Sequence, residues 1–108
     1  MTQFNDREKA FENKLKLDKE LDFKVQARRN KLLGQWAATQ LGLDAASSEI
    51  YAKEVVMSDF DEPGDDDVLR KVHEDLKGKG LDTSEHMIRK EMDRLLLVAR
   101  DQVMSETK

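Results

Sequence analysis

Arg28, Arg29 and Lys31 place three cations just ahead of the only tryptophan in the chain, Trp36. Cations beside an indole are the chemistry of an anion or nucleotide site, where charge holds phosphate and the ring stacks on a base. The surrounding sequence argues against that use. Phosphate favours helix N-termini and glycine-rich loops, and no Walker or dinucleotide motif is present. Gly34, inside the same helical run, reads as a point of close helix packing, and Trp36 reads as core. The three cations are then expected to pair with acids of the second and third helices. A small-ligand or nucleotide-binding site at Arg28, Arg29, Lys31 and Trp36 stands as the alternative.

Two other groups of residues invite chemistry. Asp59, Asp61, Glu62, Asp65, Asp66 and Asp67 put six acids into nine positions, which suggests calcium. Counted from Asp59, however, position five of a calcium loop would be Pro63 and position twelve Arg70, so the ligand pattern fails. A solvated turn leading into a helix N-terminus accounts for the acids. His73 and His86 are the only histidines, and neither has metal or triad spacing. His73 reads as a packed flank residue and His86 as exposed. With no cysteine and no paired nucleophile and base, the chain is expected to be no enzyme, to hold no metal and to need no cofactor.

Composition narrows the classes further. The 108 residues carry 39% charged and 6% aromatic side chains, which suits one domain with a small aliphatic core. The net charge of −4 divides unevenly: residues 1–31 hold nine Lys/Arg against six Asp/Glu, and the remainder ten against seventeen. Nucleic-acid binding needs a concentrated basic face, and here acids interleave with the cations. No apolar run approaches the roughly 18 residues of a membrane span, and the first residues lack the design of a signal peptide. A cytoplasmic location is expected.

Four helices must position these residues. Asn5-Asp6-Arg7-Glu8 has a capping-box pattern and opens a first helix that runs to Leu41. There Gly42 offers a left-handed stop and Leu43 a hydrophobic return. Asp44 caps a second helix to about Phe60, and Asp61-Glu62-Pro63-Gly64 forms a turn. Asp65 caps a third helix, with Asp66 and Asp67 favoured by its dipole, which ends at Gly78-Lys79-Gly80. Asp82-Thr83-Ser84-Glu85 opens a fourth helix to about Met104. Apolar positions at helical spacing supply the core faces: Leu21, Val25, Leu32, Leu33 and Trp36; Ala52, Val55, Val56 and Phe60, with Ile50 and Tyr51 at the flank; Val68, Leu69, Val72 and Leu76; Ile88, Met92, Leu95, Leu96, Ala99 and Val103. Short loops favour antiparallel neighbours. The fold class is all-α: a small antiparallel four-helix bundle with a mobile N-terminal arm.

The arm follows from lengths. At about 1.5 Å per residue, a helix from Asn5 to Leu41 spans roughly 55 Å and the fourth helix roughly 31 Å. Residues 1–20 therefore outrun the bundle of residues 21–104, while residues 105–108 are expected to fray. In the arm, Phe4, Phe11 and Leu15 form one stripe. Leu17, Leu21, Val25, Leu32 and Trp36 form another, turned by roughly 80–90° at the helical period. An unpacked arm of this length is marginal as a helix in water, so it is expected to order on a partner that offers a groove to Phe4, Phe11 and Leu15.

Three blocks carry a family resemblance: Ala27-Arg28-Arg29-Asn30-Lys31-Leu32-Leu33-Gly34-Gln35-Trp36-Ala37-Ala38, then Tyr51-Ala52-Lys53-Glu54-Val55-Val56, then Gly64-Asp65-Asp66-Asp67-Val68-Leu69-Arg70-Lys71-Val72. In that order they resemble the zeta-subunit family of F-type ATP synthases of alphaproteobacteria. The resemblance implies a four-helix bundle with a mobile arm, and a regulatory subunit that inhibits ATP hydrolysis by the catalytic head. It also implies that the arm inserts as a helix at a catalytic alpha/beta interface and meets the central stalk. Phe4, Asp6, Arg7, Glu8, Phe11 and Leu15 are then the candidate contacts. The segment Lys14-Leu15-Lys16-Leu17-Asp18-Lys19 departs from the family pattern in being more basic. A helical adaptor of a different assembly remains the other reading.

Overall fold

The computed structural model describes the backbone of residues 2–60 and 65–106, and the side chains of residues 19–59 and 65–106. The described residues form four helices and no strand: α1 (Thr2–Leu41), α2 (Ala45–Met57), α3 (Asp66–Gly78) and α4 (Glu85–Glu106), with a 3-10 turn at Ser58–Phe60. The expected turn at 61–64 and the core role of Phe60 lie outside the described residues.

Local chemistry sets the ends of these helices. α1 stops because Gly42 takes a positive φ of 74°. Leu43 N–H then reaches back to the Ala38 carbonyl at 3.0 Å, and Gly42 N–H to that of Thr39 at 3.1 Å. This is the paired closure of a glycine-ended helix, although the Leu43 side chain stays exposed. Gly80 repeats the device at φ 82°, with Leu81 N–H on the Leu76 carbonyl at 3.0 Å. Here Leu81 does fold back onto the core. Asp44 caps α2 by accepting from Ser47 N–H at 2.8 Å, and that bond holds its carboxyl below its ordinary range.

Several boundaries differ from expectation. α1 is already helical at Thr2, so the backbone at Asn5 does not form a cap. α2 gives way to the 3-10 turn after Met57 instead of continuing to Phe60. α4 is capped by Ser84, whose hydroxyl accepts from Met87 N–H at 3.2 Å, and not by Asp82. It continues through Ser105 to Glu106, beyond the expected end at Met104; residues 107 and 108 lie outside the described residues. Asp65 stands at the N-cap of α3 but makes no capping hydrogen bond, because its carboxylate is engaged by α1.

α1 is the spine. It packs against α2, α3 and α4, and α3 bridges α2 and α4, which do not pack on each other. The main core joins Leu33, Ala37 and Ala38 of α1 to Tyr51 and Val55 of α2, the Val68–Leu76 face of α3 and the first half of α4. A smaller cluster joins Val25 to Ala99 and Val103, with Leu21, Leu32 and Leu96 against it. α4 therefore runs antiparallel to α1, its end lying beside Val25. Each large aliphatic side chain so buried contributes roughly 1.5–3 kcal/mol.

The core faces of α3 and α4 match the sequence pattern, except that Leu96 is half-buried while Leu95 is buried. On α2, Tyr51 is buried and not at the flank, whereas Ile50 is 62% exposed. The Tyr51 hydroxyl donates to Asp75 at 2.8 Å, and burial with that carboxylate pushes its pKa well above the ordinary range. On α1 the expected stripe is too narrow. Leu32 and Trp36 are only half-buried, while Leu33, Ala37 and Ala38 are sealed. Three helices press on α1 at once, so its buried face extends around most of the cylinder. On a regular helix, positions 11 and 15 share the azimuth of positions 29 and 33, about five turns on. What the backbone shows of the first part of α1 is its length, 40 residues in all against 22 for α4; the side chains of the Phe4, Phe11 and Leu15 stripe lie outside the described residues.

Candidate functional site

The structure divides the chain's chemistry between the arm end of α1 and the polar seams on its packed half. Phe4, Asp6, Arg7, Glu8, Phe11 and Leu15 all fall within the helical backbone of α1; their side chains lie outside the described residues. Lys19 and Glu20 are exposed, and Leu21 is the first described side chain packed on the core. α1 has 40 residues against 22 for α4. The molecule measures 66 × 25 × 20 Å, and α1 at about 1.5 Å per residue accounts for the long dimension.

The three cations of the Arg28–Lys31 run point in three directions, because adjacent helix positions are about 100° apart. Arg29 is 3% exposed and turns inward. Its Nη2 donates to Asp65 Oδ1 at 2.7 Å, and its Nε to Asn30 Oδ1 at 2.8 Å. Asn30, also buried, donates from Nδ2 to Asp59 at 3.1 Å. These contacts tie the middle of α1 to the 3-10 turn and to the start of α3. Burial pushes the Asp59 carboxyl up, aided by the neighbouring charges of Asp65 and Asp67 and opposed by Asn30 and Arg29. Asp67 Oδ2 is buried without a hydrogen-bond partner. The Arg29–Asp65 pair agrees with the expected pairing of cations with the third helix.

Arg28 corrects that expectation, since its acid belongs to α4. It donates to Gln102 at 2.9 Å and to Glu106 at 2.7 Å. The pairing raises the Arg28 pKa and holds the Glu106 carboxyl down, with Lys24 and Lys31 adding to the effect. Lys31 is exposed and forms no ion pair with a described residue. Trp36 packs against the main core on its edge with Leu32, Leu41 and Leu81. Arg28 and Lys31 line one surface hollow, and neither Arg29 nor Trp36 takes part in it. The four residues are therefore not gathered as a phosphate-and-ring site would require.

Gly34 performs the role its position suggested. A Cβ there would lie 2.6 Å from Ala52 Cα and 3.2 Å from Ala52 Cβ, so only glycine lets α1 and α2 approach this closely. The acid run resolves into separate partners. Asp59 takes Asn30, Asp65 takes Arg29, Asp66 takes Arg89 at 3.1 Å and Asp67 takes Arg70 at 3.5 Å; Asp61 and Glu62 lie outside the described residues. Among the described residues no group of acids and histidines is arranged to hold a metal ion. His73 is half-buried, 3.8 Å from Glu85, and His86 is exposed. No described helix is long and apolar enough to cross a membrane. Sequence reasoning missed Asn30 and the pairing of Arg28 with α4. A polar pair in mid-helix next to core positions is the only trace either left.

The arrangement has a long helix whose described second half is embedded in a core, and its described polar residues pair with one another across the helices. No curated protein matches the chain. Among solved structures, one described as "Solution NMR structure of the protein" is 45% identical, with a TM-score of 0.71, and the match covers 80% of this chain and 98% of that one. The description "ATPase inhibitor subunit zeta" matches residues 1–102. A match over nearly the full length, on a fold of four helices led by one long helix, places this chain in the ATPase inhibitor subunit zeta family.

Proposed function

We propose that the chain inhibits ATP hydrolysis by the F-type ATP synthase, with residues 1–20 as the inhibitory element and the bundle as its mount. The observation that carries this reading is the excess length of α1, which has 40 residues against 22 in α4, with Leu21 the first described side chain packed on the core. The arm enters a catalytic alpha/beta interface of the head as a helix and reaches the central stalk. Phe4, Phe11 and Leu15 supply the apolar anchors, and Asp6, Arg7 and Glu8 the polar contacts. Rotary catalysis needs that interface to open and close. A helix bound in one of its states stabilises that state and stops the cycle. Without a partner the arm is marginal as a helix, so ordering it costs several kcal/mol of the binding energy. Inhibition is accordingly reversible. The partner is the head, reached from the aqueous side, without nucleic acid or membrane insertion.

The test is a titration of ATP hydrolysis by the cognate synthase head. The full chain inhibits, the chain lacking residues 1–19 does not, and Phe11→Ala inhibits about thirtyfold more weakly, as expected for a lost aromatic anchor of about 2 kcal/mol. Thermal unfolding of Phe11→Ala matches the wild type, since on this reading Phe11 contacts the partner and not the bundle. A truncated chain that inhibits as well as the full chain refutes the arm mechanism.

A further inference from the structure

Because α2 and α4 both pack on α1 but not on each other, one side of the spine is left open between them. α3, which packs on α1, α2 and α4, lines no part of that opening. The open side is a continuous groove made of two hollows that share Lys31 and Val56. Its floor is an α1 seam at Lys24, Ala27, Lys31 and Gln35, spaced three or four apart so that they line one face. One wall is the end of α2 at Ala52, Val56 and Met57, and the other is the end of α4 at Val103 and Glu106. The groove lip carries large apolar side chains in water: Phe23 is 64% exposed and Met57 67%.

We propose that this groove is a second docking surface for the catalytic head, and that it receives an acidic amphipathic helix of the head. The proposal rests on the inhibitor reading above. Two observations select the occupant. The first is charge. The chain is acidic overall, with net charge −4, yet Lys24, Lys31 and Lys53 stand along this groove; none forms a direct ion pair with a described residue, and Lys24 and Lys31 only add at a distance to the hold of Arg28 on Glu106. Of the groove's acids, Glu106 is already taken by Arg28 at 2.7 Å, leaving Glu49. A segment that brings apolar side chains to Phe23, Val56 and Met57 and carboxylates to the lysines is complementary to it. The second is continuity. Arm and groove floor belong to the same helix, with Phe23 only a few residues past the arm, so a partner that grips the arm comes against the mouth of the groove. From Phe23 to Gln35 the floor is roughly 18 Å long, three helical turns. Two linked contacts raise avidity beyond either alone, so the groove holds the subunit in place while the arm acts.

The test separates the groove from the arm. Full-length wild type and the triple variant Lys24→Glu, Lys31→Glu, Lys53→Glu are compared for binding to immobilised head by interferometry at 50 and 500 mM salt. Both are also titrated for inhibition of ATP hydrolysis. All three lysines are exposed, and circular dichroism confirms the fold; if reversal destabilises it, the triple glutamine variant is used. At low salt the triple variant binds about tenfold more weakly, the combined weight of three rim ion pairs. The difference shrinks at high salt, and maximal inhibition at saturation is unchanged. Met57→Glu weakens binding at both salt concentrations. Binding by the triple variant equal to wild type at 50 mM overturns the groove while leaving inhibition by the arm intact. Wild type that binds but does not inhibit removes the inhibitor reading instead, and the groove comparison still decides its own question. Loss of wild-type self-association in the variant, with head binding unchanged, assigns the groove to a second copy and overturns the proposal.

Discussion

Replacing Gly34 with alanine sets two effects of known size against each other. In an isolated helix the change stabilises by about 1 kcal/mol, because alanine loses less backbone entropy. Here the new methyl would lie 2.6 Å from Ala52 Cα, 3.2 Å from Ala52 Cβ and 3.3 Å from Val55 Cβ. Carbon atoms rest at about 3.5–4.0 Å, so α2 must retreat by roughly 1 Å. The nearest atom is backbone, which cannot rotate away. A gap of about that size forfeits a quarter to a half of each contact's attraction, and the seam it opens includes Leu33, Ala37, Tyr51 and Val55 of the main core. Overpacking of this kind costs about 1–3 kcal/mol, and a backbone clash belongs at the upper end. The net expectation is a loss of about 1–2 kcal/mol, after subtracting the propensity gain. For a chain of this size that lowers Tm by about 5–10 °C. Urea and thermal unfolding followed by circular dichroism measure it. Gly78→Ala is the control: nothing lies within 4 Å of a Cβ there, so the same substitution should gain up to about 1 kcal/mol. Adding Ala52→Gly to Gly34→Ala should not restore stability, because Ala52 Cα remains. A Gly34→Ala protein as stable as wild type would show that α1 and α2 do not approach as described.

Arg29→Lys keeps the charge but loses the fork that holds Asp65 and Asn30 together; with Asp59, Asp65 and Asp67 left around a poorly fitting ammonium, unfolding should show a loss of about 1–3 kcal/mol. Asp59 shifts in the opposite direction to Asp44 and Glu106, whose carboxyls are held down by their hydrogen bonds. Its folded pKa is raised, chiefly by burial, so the folded state binds more protons than the unfolded one just above the ordinary carboxylate range. That contribution is fully present below the unfolded value and is lost as pH rises through the folded one. Asp59→Asn, which can still accept from Asn30, should therefore gain relative to wild type as pH rises from 4 to 7; a pH-independent difference in urea midpoints refutes this.

Much of the architecture was legible because it rests on neighbours in sequence. Gly42 and Asp44 end one helix and start the next through bonds spanning three to five residues. The apolar spacing of Val68, Leu69, Val72 and Leu76 identified a face that is indeed buried. The α1 face was harder to read because it depends on how many helices surround it. A helix with one neighbour shows one stripe; α1 has three neighbours, and its small residues Gly34, Ala37 and Ala38 are buried where a stripe of large residues would not fit. Asp65 illustrates a competition: its capping role was read from position alone, but Arg29, 36 residues away, holds the carboxylate that would have capped α3.

By itself, the sequence determined the helices, most of their ends, the core faces of α3 and α4, the family resemblance, and the excess length of α1 over its neighbours. These depend on residue type and local spacing, which short-range hydrogen bonds and helical periodicity convert directly into structure. Only the tertiary structure decided where Arg28, Arg29 and Lys31 point: toward α4, inward to a half-buried group of acids, and along an open groove. Consecutive helix positions diverge by about 100°, so their partners are chosen by which helix lies on each side. The order of helices around α1 is settled by packing between residues dozens of positions apart, and it is this order that leaves the side between α2 and α4 uncovered.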